Sequence, residues 1–249
     1  MDFVVIVEGM EDARTACDLA DRVVVEEGPH WLFPSERDAM RTWTGLQSDE
    51  DFTKWTEVKA LAQKQNVRSL GHPKRGEPGG ADLAQARKAI ILHVLMKGEE
   101  EAPVLLLVRD TDAERESRRD LEQARKQPRT PEGLTVVIGV ARPMREAWVL
   151  NGFDPVDENE EETLAELKRE LGCDPRTDAH TLTASRSGAK RNPKRVLGEL
   201  VASGSERERQ CWTETDLAIL QNRGAETGLA TFLEEVEDRL IPLFRDRSE

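Results

Sequence analysis

One apolar stretch that ends on two aspartates constrains the fold of this chain more than any other feature. Residues 104–109 read Val-Leu-Leu-Leu-Val-Arg and lead directly to Asp110 and Asp112. The run lacks the alternation of a half-exposed strand, so both faces should be covered, as in a central strand of a parallel sheet. Ligands of open α/β sheets bind at the carboxyl ends of such strands. The stretch therefore predicts a buried strand that presents two carboxylates at a ligand-binding edge.

Two carboxylates held close together repel each other unless a positive charge lies between them. A hard divalent cation, Mg²⁺ or Mn²⁺, is the partner that oxygen ligands suit best. The structural alternative is that Asp112 caps a helix beginning near Ala113, because Asp is favoured at helix N-caps. A metal site and a helix cap both remain open from the pair alone.

The first residues of the chain repeat the pattern of an apolar strand followed by an acid. Residues 3–7 form a second continuous apolar run that ends on Glu8, and Gly9 permits a tight turn. From Glu11 onward apolar residues recur at helical spacing. The unit therefore predicts a strand, an acid, a glycine and a helix in that order.

These two acidic motifs resemble the signature motifs of the Toprim domain. That domain is shared by topoisomerases, bacterial primases, recombination proteins and nucleases of the overcoming-lysogenization-defect (OLD) family. The resemblance covers about residues 1–150 and implies that Glu8, Asp110 and Asp112 are catalytic and hold Mg²⁺ or Mn²⁺. Glu11 looks like the additional acid of the nuclease branch.

The segment 142–150 resembles the Glu-Ala-Trp segment of small stand-alone Toprim proteins that accompany ATPases in bacterial anti-phage defence. Within it, Glu146 could be a further metal ligand or could orient Glu8. The competing interpretation is a salt-bridged helix start with Trp148 and Leu150 packing inward.

The resemblance implies a metal-dependent nuclease for DNA or RNA that acts as the effector subunit of a defence system under a partner ATPase. That ATPase would be a separate chain, because no Gly-x-x-x-x-Gly-Lys-Ser/Thr loop occurs here. Topoisomerase action is not expected, because it would require a nucleophilic tyrosine and the sequence contains none. Two alternatives stay open: a catalytically silent Toprim-like interaction module, and a different Asp-x-Asp metal-dependent phosphotransfer enzyme. Homo-oligomerisation is also left open.

The net charge of -13 opposes contact with nucleic acid, because phosphate backbones are bound through Lys and Arg. One segment departs from this balance, since five cations and no acid occur between residues 186 and 195. The residues expected to contact phosphate lie here and after the last predicted strand: Lys190, Arg191, Lys194, Arg195, Arg142 and Arg145. The alternative is a solvated loop, because charge runs usually face water.

The alternation of strands and helices predicts an α/β fold with a parallel sheet of about four strands flanked by helices, and the resemblance implies that this sheet is Toprim-like. The expected strands are residues 3–7, 23–25, 104–109 and 134–140. Residues 26–80 follow the second of these and are interpreted as an insertion in a catalytic domain of residues 1–150. The tryptophans of this insertion, Trp31, Trp43 and Trp55, could stack on bases or pack a small core. Residues 151–249 are expected to be an α-helical C-terminal region.

No apolar run approaches the length of about 18 residues that a membrane helix needs. The apolar start of the chain lacks the preceding basic residues of a signal peptide. We therefore expect no membrane association and a cytoplasmic location. The three cysteines are far apart, which argues against a disulfide framework or a zinc cluster.

Overall fold

The computed structural model describes residues 1–67, 80–98, 102–111, 117–127, 130–202 and 204–245. Asp112 and most of the glycine-rich stretch 71–80 lie outside these residues. Within them, five strands form one parallel sheet: β1 (Asp2–Val7), β2 (Thr42–Thr44), β3 (Thr53–Lys54), β4 (Val104–Asp110) and β5 (Thr135–Ala141).

Helices flank the sheet and make up the C-terminal part of the chain. Their bounds are α1 (Met10–Glu26), α2 (Pro34–Met40), α3 (Val58–Lys64), α4 (Ala81–Met96), α5 (Ser117–Arg125), α6 (Arg145–Asn151), α7 (Glu158–Leu171), α8 (Pro193–Leu200), α9 (Ser205–Thr213), α10 (Leu217–Arg223), α11 (Leu229–Arg239) and α12 (Ile241–Arg245). No helix among the described residues is long and apolar enough to cross a membrane.

The strand order across the sheet is β2-β1-β4-β5, and β3 pairs with β1 on the side opposite β4. The continuous apolar runs of β1 and β4 are buried at residues 3–7 and 104–108. This burial confirms the prediction that both faces of these strands are covered. The strand predicted at 134–140 is also confirmed, as β5.

The prediction of a strand at residues 23–25 is wrong. Those three valines lie in the last turns of α1, where Val23 and Val24 continue the buried stripe of Leu19 and Ala20. Valine favours strands, but this preference is weak and is overridden when the residues extend a helix with an apolar face.

The interpretation of residues 26–80 as an insertion needs a correction, because this segment supplies two strands of the sheet. Thr42–Thr44 pairs with the start of β1, and Thr53–Lys54 pairs with its end. Both strands are shorter than the runs from which a strand is ordinarily predicted. The sheet therefore gains two strands that the sequence patterns did not indicate.

The chain divides into two compact units. The first comprises residues 1–109, 115–139 and 235–249, and the second comprises residues 110–114 and 140–234. The boundary expected after residue 150 lies inside the second unit and stays a prediction about domains. The helical character of the C-terminal region is confirmed by α7 to α12.

In the first unit, aromatic packing joins the start of the chain to its end. The ring of Phe3 contacts Trp43 and Phe244 edge-on, with ring centroids 5.3 and 6.2 Å away. In the second unit, Trp148 is buried and stacks on Phe232 at 5.0 Å. Each unit thus has an apolar core of its own.

Candidate functional site

The candidate site of the first unit lies at the carboxyl ends of β1 and β4. The chain runs from β1 to β2 on one side and later returns to β4 on the other side. Open α/β sheets bind ligands at such a reversal of strand order, outside the carboxyl ends of the strands. The pairing of Ile6 with Leu107 brings Glu8 level with Arg109 at this position.

Arg109 is shared there between two carboxylates. Its guanidinium group forms an ion pair with Glu8, and its Nε donates to Oδ1 of Asp82 at 3.3 Å. The guanidinium carbon also lies 5.8 Å from the centroid of the Trp55 ring. The side chains of Arg109, Glu8 and Asp82 are 23%, 25% and 16% exposed, so all three are partly withdrawn from water. An arginine is permanently charged, so the two acids converge on a resident cation.

Asp82 is positioned by the anchored start of α4. Oδ2 of Asp120, a buried residue of α5, accepts hydrogen bonds from the backbone N–H groups of Gly80 at 2.8 Å and Leu83 at 3.2 Å. A side chain at position 80 would collide with this carboxylate, because a Cβ would lie 2.6 Å from Oδ2. The first turn of α4 is therefore attached to α5, and Asp82 is placed with it.

Sequence reasoning missed both Asp82 and Asp120. They lie on different helices, and neither belongs to a short motif. The signal that the sequence offers for Asp82 is an acid in the first turn of a helix. In the sequence, Arg109 stands only as the end of an apolar run.

Asp110 belongs to the second unit and has a structural contact there. Its Oδ1 accepts a hydrogen bond at 3.0 Å from the backbone N–H of Arg145, the first residue of α6. The backbone N–H of Thr111 is shared between the carbonyl oxygens of Ala141 and Pro143, at 3.0 and 3.1 Å. A carboxylate at a helix N-terminus is favoured in its charged form. Asp110 is therefore a helix cap as well as a candidate metal ligand.

The other candidates near the start of α6 lie in a network of ion pairs. Arg145 is 7% exposed and pairs with Glu208 at 2.7 Å and with Glu146 at 3.6 Å. Nζ of Lys194 lies 3.9 Å from Glu146, while the Lys194 side chain is 68% exposed. Trp148 donates its Nε1 hydrogen to the carbonyl of Thr227 at 2.9 Å. The segment therefore has the features of a salt-bridged helix start with its apolar residues packed inward.

The predicted phosphate-contacting residues differ in how far their charges are already compensated. Arg195 donates to both carboxylate oxygens of Glu170 at 2.9 Å and to Glu199 at 2.8 Å. These hydrogen bonds lower the pKa of Glu170 and raise that of Arg195. Arg191 donates to Thr181 and to the Leu171 carbonyl, whereas Lys190 is exposed. Arg142 donates its backbone N–H to the Thr227 carbonyl and is half-buried.

The described residues include no group of three or more His, Cys, Asp or Glu side chains placed to hold a metal. Glu11 is exposed in the first turn of α1. Asp112 lies outside the described residues, so the ligand set Glu8, Asp110 and Asp112 stays a prediction. The carboxylates of Glu8 and Asp82 both pair with the guanidinium group of Arg109, so this part of the site already accommodates a positive charge.

Two of the three thiols are poorly suited to nucleophilic chemistry. Burial raises the pKa of Cys211 to about 12, and burial together with the nearby Asp21 raises that of Cys17 well above its ordinary value. The thiolate is the nucleophile, so both groups stay in the unreactive form near neutral pH.

Comparisons with known proteins found no matching family model, curated protein or solved structure. The assignment of a function consequently rests on the residues of this chain.

Proposed function

We propose that this protein is a metal-dependent nuclease that hydrolyses phosphodiester bonds of DNA or RNA with Mg²⁺ or Mn²⁺. The observation that carries the proposal is the position of Glu8, a partly buried acid at the carboxyl end of β1 where the strand order reverses. Its charge is compensated by a cation in the structure. A carboxylate in this position is suited to hold a divalent metal.

The Toprim resemblance of the two acidic motifs supports the same proposal and adds Asp110 and Asp112 as ligands. A metal bound by these acids would stabilise the negative charge that develops on the scissile phosphate. Glu8 would bind the metal or accept a proton from the attacking water. Oδ1 of Asp110 already accepts a hydrogen bond from the backbone N–H of Arg145. As a metal ligand, Asp110 would use the lone pairs that this hydrogen bond leaves available.

The partner proposal follows from charge. A protein of net charge -13 should bind nucleic acid weakly by itself, and its basic segment is partly compensated by acids such as Glu170 and Glu199. We therefore propose that a second subunit, a separate ATPase, presents the substrate or releases the activity, as in the anti-phage systems that the resemblance suggests.

The test is cleavage of single-stranded and duplex DNA and RNA with Mg²⁺ and with Mn²⁺, with and without the products of adjacent genes. Glu8→Gln and Asp110→Asn should each reduce the rate by about 10²-fold or more. Asparagine is preferable to alanine at position 110 because its carbonyl can still accept the hydrogen bond from Arg145. The matched control is Glu27→Gln, an exposed acid beyond the end of α1, which should cleave at the wild-type rate.

The second candidate function is a catalytically silent interaction module, and one observation favours it. The ion pair between Arg109 and Glu8 is what we would expect at a former metal site in which an arginine has taken the place of the metal. If the assembled protein cleaves no substrate with either metal, or if the Glu8 and Asp110 variants cleave as fast as the wild type, the nuclease proposal is wrong.

A further inference from the structure

We propose that Arg109 is a displaceable internal counterion, which holds Glu8 in the metal-free protein and must move away before a divalent cation can bind there. The inference rests on the proposed metal site and concerns how that site is filled. It assigns to Arg109 a role in the affinity for metal, a role that neither the acidic motifs nor their resemblance contains.

The permanent charge of Arg109 opposes the binding of a metal at Glu8. A guanidinium group keeps its charge at all physiological pH values, so Arg109 cannot release Glu8 by losing a proton. A divalent metal at the same carboxylate would be repelled by a positive group in direct contact with it. Both side chains are only about one quarter exposed, which limits screening by water and salt. Metal and guanidinium are therefore competitors for Glu8.

Arg109 also contacts a second carboxylate, that of Asp82, with which it can remain paired when it leaves Glu8. Asp82 already accepts a hydrogen bond from its Nε at 3.3 Å, and the face of Trp55 lies within cation–π range. When a metal takes Glu8, Arg109 can keep its contact with Asp82 and rotate its outer nitrogen away. Arg109 would therefore keep a carboxylate partner and the face of Trp55 after it leaves Glu8.

The alternative is that the ion pair between Arg109 and Glu8 only stabilises the end of the sheet. In that case removing Arg109 would leave Glu8 without a partner, and metal affinity would be unchanged or would fall with stability. Under competition, removing Arg109 raises the affinity. The two interpretations therefore predict opposite changes in one measured quantity.

The experiment is a calorimetric titration of the full chain with MnCl₂, comparing wild type with Arg109→Gln, Asp82→Asn and Glu8→Gln. We expect Arg109→Gln to bind Mn²⁺ at least about fivefold more tightly, within the usual range for coupled equilibria. Asp82→Asn should bind more weakly, because Arg109 then loses the carboxylate of Asp82 and competes more strongly for Glu8. Glu8→Gln should lose this binding. Circular dichroism and thermal unfolding without metal show whether each variant is folded.

A second measurement needs no variant that removes the charge. The ¹⁵N signals of arginine side chains are recorded in the wild type during a Mg²⁺ titration, and Arg109→Lys identifies the signal of Arg109. Competition predicts that this signal moves as the metal binds. A signal that stays in place while Mg²⁺ saturates the protein would overturn the inference.

The outcomes separate this inference from the nuclease proposal. Equal Mn²⁺ affinity in wild type and Arg109→Gln overturns the role of Arg109 and leaves the nuclease proposal standing. Tighter Mn²⁺ binding by Arg109→Gln supports the inference. If the wild-type protein then cleaves no substrate with its partners present, the nuclease proposal is overturned and the role of Arg109 stands. No binding of Mn²⁺ by either protein at millimolar concentration overturns both.

Discussion

His93 is fully buried in α4, and its Nε2 lies 2.7 Å from the carbonyl oxygen of Ala102. Burial lowers the pKa of His93 to about 4, because the charged imidazolium would lose its hydration. The unfolded chain takes up a proton near the ordinary value of 6.5, whereas the folded protein does not until about 4. Folding is therefore opposed by proton uptake of the unfolded chain between these two values.

We predict that His93 alone lowers the free energy of unfolding by about 3 kcal/mol between pH 7 and pH 4. This magnitude follows from the shift of the His93 pKa from 6.5 to about 4, at about 1.4 kcal/mol per pKa unit. The contribution is fully present above pH 6.5 and is lost as the pH falls toward 4. His93→Gln, which can still donate to Ala102, should be less sensitive to acid in urea unfolding curves measured at each pH. His30→Gln is the control, because His30 is exposed. Equal pH dependence of wild type and His93→Gln would contradict the prediction.

Individual residues of the candidate site could be predicted only where they stand beside a strand in the sequence. Glu8 and Asp110 directly follow or end continuous apolar runs, so their places at the ends of β1 and β4 could be foreseen. The ion pair of Arg109 with Asp82 could not be foreseen, because it depends on where α4 starts relative to β4. Contacts of that kind are set by tertiary packing, which short motifs do not encode.

At the scale of elements, the contact of α5 with the start of α4 supports a second prediction. Asp120 is 5% exposed and satisfies two backbone N–H groups that the first turn of α4 cannot satisfy internally. Asp120→Ala should lower the free energy of unfolding by about 1–3 kcal/mol, the usual cost of leaving buried donors without acceptors. Asp120→Asn, which keeps an acceptor oxygen, should lose less.

Urea denaturation checks the order wild type, Asp120→Asn, Asp120→Ala in decreasing stability. Arg119→Ala is the matched control, since it changes the neighbouring residue of the same helix on the exposed side. If Asp120→Ala unfolds at the same urea concentration as Arg119→Ala, the cap does not stabilise α4.

Elements with long, consistent patterns were predictable from the sequence, and short ones were not. The apolar runs of β1, β4 and β5 each indicated the correct structure. Val23–Val25 has the composition of a strand, yet the helix before it extends through these residues. The strands β2 and β3 contain three and two residues, too few for any periodic pattern. Their pairing with β1 depends on partners distant in the sequence.

For the whole molecule, the end of the chain packs on the same unit as its beginning. Phe244 of α12 is 1% exposed and contacts Phe3 of β1. Glu235 pairs with Arg118 and Arg125 of α5, at 3.1 and 2.6 Å. The sequence predicts a helical C-terminal region, but it could not tell which core the last helices of that region join. An apolar stripe shows that a helix has a partner without identifying it.

We predict that Phe244→Ala lowers the free energy of unfolding by about 3–5 kcal/mol, the usual cost of removing a buried aromatic ring. The reason is that this ring joins the last helix to the first strand of the unit. Thermal unfolding followed by circular dichroism measures the loss. Phe33→Ala is the matched control, because Phe33 is 60% exposed and its removal should change stability by less than about 0.5 kcal/mol. Similar melting temperatures for the two variants would show that the end of the chain is dispensable for the fold.

The outer edge beside β1 is built from two separate pieces, Thr42–Thr44 and Thr53–Lys54, with residues 45–52 between them. Continuous exposed edge strands are hazardous during synthesis, because their unpaired N–H and C=O groups can template the addition of strands from other chains. Segments that stack in this way are typically about six or seven residues long. Neither piece reaches that length, and the intervening loop interrupts the row of backbone groups. The broken edge therefore offers only short rows of backbone groups to strands of other chains, and we expect it to be a poor template for edge-to-edge aggregation.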